Sequence, residues 1–161
     1  MILIGLGSNL DGPWGSPRET VAQALQALGR DGLRLVSASR PVVTLPLGPP
    51  NQPHYVNAVA RIETHLPPEA LMRRLHAIEH AAGRKRRRRW GPRTLDLDLL
   101  DYHGLVRRGS PILPHPGIAG RDFVLSPIAE IAPGWRHPVE RKTARALRLR
   151  LTGVAGSIIA S

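Results

Sequence analysis

At 161 residues, 42% of them hydrophobic, with glycine and proline spread along the whole length, the chain is sized for one ordinary core, and a single domain over 1–161 is expected. With no cysteine, disulfides, thiolate metal sites and cysteine nucleophiles are excluded, so any metal must sit on oxygen or histidine. The 23 basic residues against 12 acidic ones give +11, a balance that asks for an anionic partner: nucleic acid, a membrane surface or a polyphosphate.

No apolar stretch is long enough to span a bilayer, and the start at Met1 lacks the basic head and cleavage site of a signal peptide, so a cytoplasmic protein is expected. Ile2 to Leu6 reads as a buried strand, followed by turn chemistry at Gly7, Ser8 and Asn9. Ser16-Pro17-Arg18-Glu19 has capping-box spacing with proline at the first helical position; Val21, Leu25 and Leu28 then share a helix face that Gly29 closes. A second strand is expected over Leu33 to Val43. Leu45 to Pro53, with four prolines and a glycine, reads as a semi-rigid loop.

Between His54 and Thr64 the pattern has period two, with Val56, Ala58, Ala60 and Ile62 on one face and Tyr55, Asn57, Val59 and Arg61 on the other. Pro67-Pro68-Glu69 opens a second helix with an apolar stripe at Leu71, Leu75, Ile78 and Ala82, and Gly83 closes it. Six basic residues, Arg84 to Arg89, follow at once. Thr94 to Leu100 alternates again, Leu95, Leu97 and Leu99 against Asp96 and Asp98. Ala144, Leu147 and Leu151 suggest a C-terminal helix ending near Gly153. The order strand, helix, two strands, helix, strand predicts an α+β, ferredoxin-like sandwich, with a mostly antiparallel sheet and helices packed on one face. Such an order hosts many chemistries and selects none.

The sharpest motif is Arg89-Trp90-Gly91-Pro92-Arg93-Thr94-Leu95-Asp96-Leu97-Asp98. Two residues apart on a strand, Asp96 and Asp98 must share a face, with Cα atoms about 6 to 7 Å apart. Two carboxylates at that spacing suit a pair of hard cations, because magnesium takes a few carboxylates plus substrate phosphates. Arg93 and the basic run would neutralise the remaining phosphate charge, since arginine's planar fork binds two oxygens at once. An acidic pair on a solvated strand face is the competing reading.

Residues 89–98 resemble the signature of the 6-hydroxymethyl-7,8-dihydropterin pyrophosphokinase family, and other stretches similar to that family flank them in order. These are Gly5 to Asn9, Thr44 to Pro49 with Gln52 to Ala58, Glu79 with Gly83-Arg84, Pro114-His115-Pro116, Arg121 to Pro127, and Glu130 to Pro133. The resemblance implies transfer of diphosphate from ATP to the pterin hydroxymethyl group, with AMP leaving. Asp96 and Asp98 would hold two magnesium ions, and Arg84 and Arg93 would join them in catalysis. For the pterin it implies Thr44, Leu47, Tyr55, Asn57 and Phe123, the two rings sandwiching the heterocycle and the amide reading its edge. For ATP it implies Glu79, Arg84, Arg86, Arg89, Trp90, Arg93, Leu99, His115 and Arg121. Segments 45–53 and 84–92 would move to open and close the site. Arg87 and Arg88 have no counterpart in that scheme. Val42, Leu45, Ser110 and Ile112 depart from the common family pattern.

ATP and 6-hydroxymethyl-7,8-dihydropterin are thus the expected partners of a monomer, with neither nucleic acid nor membrane. The rival from another class is an RNA- or DNA-binding module built on Arg84 to Arg89. It would need stacking aromatics among the basic residues, and only Trp90 is there.

Overall fold

The structure, a computed structural model, describes residues 1–45, 53–84, 93–151 and 158–160. Its first strand, β1 (Ile2–Ser8), divides its side chains between two cores, Ile2, Ile4 and Leu6 on one face and Leu3 on the other. Helix α1 (Pro17–Ala27) begins at the expected capping box: Ser16 Oγ accepts the Glu19 N–H at 3.3 Å, and Glu19 Oε1 accepts the Ser16 N–H at 3.2 Å.

The single strand expected over Leu33 to Val43 is two, β2 (Arg34–Ala38) and β3 (Val42–Thr44). Pro41 has no N–H to offer a ladder, and the chain breaks over Ser39-Arg40-Pro41. Ser39 covers the gap, donating its N–H to the Val59 carbonyl and accepting the Val59 N–H on Oγ, both at 2.9 Å. As a result β2 pairs with the Ala60–Glu63 half of β4 (Tyr55–Glu63), and β3 with the Tyr55–Asn57 half.

Helix α2 (Pro68–Ala81) buries Leu71, Leu75 and Ile78 beside α1, and β5 (Asp96–Tyr102) follows. Fully burying a leucine contributes about 1.5–3 kcal/mol, so this stripe, rather than helix propensity, anchors α2. The sheet order is β5-β1-β4-β3-β6, with β2 also on β4, and every pairing is antiparallel. With β2 and β3 taken as one bent strand, the first five strands have the ferredoxin-like order.

The remaining elements correct the expected layout. Residues 122–131 form a helix the sequence pattern did not reveal, α3 (Asp122–Ile131). It packs through Val124, Leu125 and Ile128 on Leu3, Val59 and Leu100, with α4 (Ala144–Arg148) beside it. Helices therefore cover both faces of the sheet. Helix α4 stops well short of Gly153, its end tightened by Arg150 and Leu151 N–H groups reaching back to the Leu147 and Arg148 carbonyls. A short strand, β6 (Ile158–Ala160), pairs with β3 at the sheet edge.

Candidate active site

The site begins with two missing side chains. In the sheet register Gly7 stands between Asp96 of β5 and Asn57 of β4, and Gly5 between Asp98 and Val59. With no Cβ at either glycine, the middle strand becomes a low floor between a wall of acids and a wall of aromatic and amide groups, and neighbouring side chains settle onto it, Asn57 and Tyr55 over Gly7 and Leu100 over Gly5. A Cβ at Gly7 would come within 2.9 Å of Asn57 Oδ1, so the amide lies directly over that backbone. Phe123 and Val124, from the first turn of α3, close the cavity from above the same sheet face. Its volume is about 310 Å³, within the range of small-ligand pockets.

Thr44, Tyr55, Asn57 and Phe123 line one part of this cavity, while Arg93, Asp96, Asp98, His115 and Arg121 line another. Asn57 Nδ2 donates to Thr44 Oγ1 at 2.7 Å, which fixes the amide plane. Burial, helped by the Asp96 charge, pushes the Tyr55 hydroxyl above its ordinary range, so it stays protonated. Arg121 lies 5.9 Å from the Phe123 ring centroid and against Gly117, where a Cβ would meet its Cζ at 2.6 Å.

The acid wall is supported from behind. Strand β5 is an edge, and Glu79, in the last turn of α2, accepts its outward Leu97 N–H at 2.7 Å. Gly83, at φ +87°, ends α2 in the left-handed region and turns the chain so that Arg84 reaches back. Arg84 Nη1 bonds both Glu79 Oε2 and Asp96 Oδ1, the latter at 2.9 Å. Its Nε is buried without a hydrogen-bond partner among the described residues. Burial lifts Glu79 to about 7 despite the opposing pull of the Leu97 N–H and Arg84. Burial first, then the neighbouring Asp96 carboxylate, lifts Asp98 to about 7.

His115 accepts the Gly117 N–H on Nδ1 at 3.0 Å, which leaves the proton on Nε2, 3.7 Å from Asp98 Oδ1. Burial and Arg121 hold this imidazole below its ordinary range, so it is a neutral donor at pH 7. Among the described residues no three His, Asp or Glu side chains converge as a metal-ligand set. The donors present are the two acids facing the cavity, and their mutual repulsion is what a cation bringing phosphate oxygens would relieve.

Residues 3–133 match the family model described as 7,8-dihydro-6-hydroxymethylpterin-pyrophosphokinase. The 2-amino-4-hydroxy-6-hydroxymethyldihydropteridine pyrophosphokinase of Haemophilus influenzae is 45% identical over 80% of this chain and 79% of its own length. That of Pseudomonas aeruginosa is 44% identical over 85% and 83%. The chain belongs to the dihydropterin pyrophosphokinase family. It is accordingly an enzyme, a pterin diphosphokinase of folate synthesis. A longer protein, the folic acid synthesis protein fol1 of Pneumocystis carinii, matches 86% of this chain over 18% of its own length, at 34% identity.

Not every residue implied by the family resemblance can be placed in this pyrophosphokinase. Leu47, Arg86, Arg89 and Trp90 lie outside the described residues, as do Arg87, Arg88 and most of segments 45–53 and 84–92. Glu79 and Arg84 stand behind the acids rather than among the lining residues. The Leu99 side chain points into the core shared with α1 and α2, on the face away from the cavity. Arg84, first of the basic run, is turned inward onto carboxylates, not outward as a nucleic-acid footprint would require. No helix among the described residues is long and apolar enough to cross a membrane.

One contributor was not singled out in the sequence. Asn9, only 1% exposed, accepts the Arg93 N–H on Oδ1 at 2.8 Å, donates its own N–H to the Arg93 carbonyl at 3.0 Å, and donates Nδ2 to the Pro53 carbonyl at 3.0 Å. It ties the end of β1 to the chain entering both walls. In the sequence it stood out only as a turn residue within the Gly5 to Asn9 stretch.

Proposed function

We propose that this pyrophosphokinase takes the diphosphate from ATP and places it on the hydroxymethyl oxygen of 6-hydroxymethyl-7,8-dihydropterin, releasing AMP. The observation that carries the reading is the glycine floor, with the Asp96–Asp98 pair on one side and the Thr44-bonded Asn57 amide on the other. The pterin lies between Tyr55 and Phe123, its amino-pyrimidine edge read by Asn57 and by backbone groups of 44–47. This orients the hydroxymethyl group toward the acids. Arg84, Arg93 and Arg121 take up charge that builds on the phosphate oxygens, and the neutral His115 donates Nε2–H to one of them. Asp96 and Asp98 would hold two magnesium ions, which when bound neutralise phosphate charge and make the β-phosphorus more electrophilic.

The reaction forms one bond, from the hydroxymethyl oxygen to the β-phosphorus, and breaks the bond from that phosphorus to the AMP oxygen, as the hydroxyl loses its proton. Charge and alignment limit such a displacement, so fixed cations and a held alcohol supply most of the acceleration. The enzyme is proposed to work in the cytoplasm as a monomer on small molecules alone, without nucleic acid or membrane. A product assay tests the reading: AMP should form only when the pterin is present, and Asp96→Ala or Asp98→Ala should reduce it by about 10²–10³-fold or more. ADP as the product, or near-normal turnover in either variant, would refute it.

A further inference from the structure

The stretch Glu130 to Pro133 accompanies the family resemblance, yet none of it lines the cavity. Glu130 sits near the C-terminal end of α3, and its carboxylate reaches the break between β2 and β3. There Oε2 accepts the Arg40 backbone N–H at 2.7 Å and Oε1 accepts Arg40 Nε at 2.8 Å. The break thus has two anchors, Ser39 to β4 and Glu130 to α3.

What lies on either side of the second anchor matters. Three residues beyond Pro41, Thr44 receives the Asn57 amide and, with Leu45, lines the cavity. At the opposite end of α3, Phe123 and Val124 form the facing wall. We propose that Glu130 is a positioning residue for substrate recognition: by tying α3 to the turn that launches β3, it sets the gap between Phe123 and the Thr44–Leu45 edge. A flat heteroaromatic ring is sensitive to that gap, because stacking and edge hydrogen bonds must be made together. The proposal rests on assigning this end of the cavity to the pterin.

The two contacts of Glu130 differ in weight. Arg40 has 86% of its side chain exposed, so the ion pair is screened and contributes little, whereas the backbone N–H bond fixes the main chain itself. A graded series separates them by steady-state kinetics with each substrate varied in turn. Glu130→Ala loses both contacts and should raise the pterin KM about five- to tenfold, with the ATP KM and saturated kcat within about twofold. Glu130→Gln keeps an oxygen for the backbone N–H, and Arg40→Ala keeps the N–H itself, so both should stay within about twofold of wild type. If Glu130→Ala does not fold, Glu130→Asp carries the test, since its carboxylate is withdrawn by one methylene and the same pterin-selective shift is expected. A wild-type pterin KM in Glu130→Asp and Glu130→Ala, equal shifts for both substrates, or an Arg40→Ala effect as large as that of Glu130→Ala would each overturn the proposal. A wild-type protein that forms no pterin-dependent AMP would overturn both readings together; an active wild type with unshifted variants overturns this one alone.

Discussion

Replacing Glu79 by glutamine should make the protein more stable at neutral pH while slowing its chemistry. The carboxylate is 4% exposed and its pKa rises from 4.5 to about 7 in the folded chain. Below pH 4.5 both folded and unfolded states hold the proton. Between there and about 7 the unfolded chain has released it and the folded chain has not, so stability falls as pH rises through that window. A gap of about 2.5 pH units at ~1.4 kcal/mol each comes to an upper bound of about 3.5 kcal/mol, a sizeable part of a typical total of ~5–15 kcal/mol. Glutamine keeps an acceptor for the Leu97 N–H and has no proton to lose. Urea unfolding from about pH 5 to 7.5 should therefore show a flatter profile for Glu79→Gln, exceeding wild type by about 1–3 kcal/mol at the upper end. Asp98 adds its own slope, and because the Glu79 carboxylate is one of the charges that raise it, glutamine also flattens that slope, so both effects have the same sign. Diphosphate transfer should fall, because Arg84 loses one of its two carboxylates and Asp96 must hold it alone. Parallel stability profiles for the two proteins would refute the reasoning.

Gly7→Ala pushes a methyl group against Asn57 Oδ1, and calorimetric titration should show pterin affinity falling about tenfold with nucleotide affinity nearly unchanged. Gly117→Ala displaces only the guanidinium of Arg121, so the thermal midpoint should hold while nucleotide binding weakens by about 1 kcal/mol, read in the same way. Because Asp98 titrates at about 7, binding of magnesium with a non-hydrolysable ATP analogue should release protons near neutral pH, seen as a buffer-dependent binding enthalpy. Asp98→Asn should lose most of that release.

The parts of the fold legible in the sequence were those with a clean period or a cap. Alternation placed Asp96 and Asp98 together on one face of their strand and Tyr55 with Asn57 together on one face of theirs, and the Ser16 box and Gly83 marked helix limits. Helix α3 was hidden because Phe123 to Ile131 is apolar nearly all round, with Pro127 inside it, so it shows neither a polar face nor the expected absence of proline. The break at Ser39–Pro41 had a signal in Pro41, which cannot donate to a ladder, but the apolar run on both sides masked it, and the serine side chain standing in for a ladder bond leaves no pattern in the sequence. Burial reverses expectation at Glu79: a carboxylate at a helix end is ordinarily solvated, and only the edge of β5 beside it explains its enclosure. Leu99 shows the complementary limit, since strand alternation alone would have turned it away from the acids.

The two glycines of β1 bear on how variation or inhibitors could act on this cavity. Asn57 and Tyr55 lie over Gly7 and Leu100 lies over Gly5, so the missing Cβ atoms are what let these side chains sit as low as they do. At these two positions substitution can only add atoms, and at Gly7 the first added atom strikes the Asn57 amide. Escape from a compound held in this cavity would therefore have to come from the walls. There Asn57, Asp96 and Asp98 leave little freedom, and changes should gather at Leu45, Val59 and Val124.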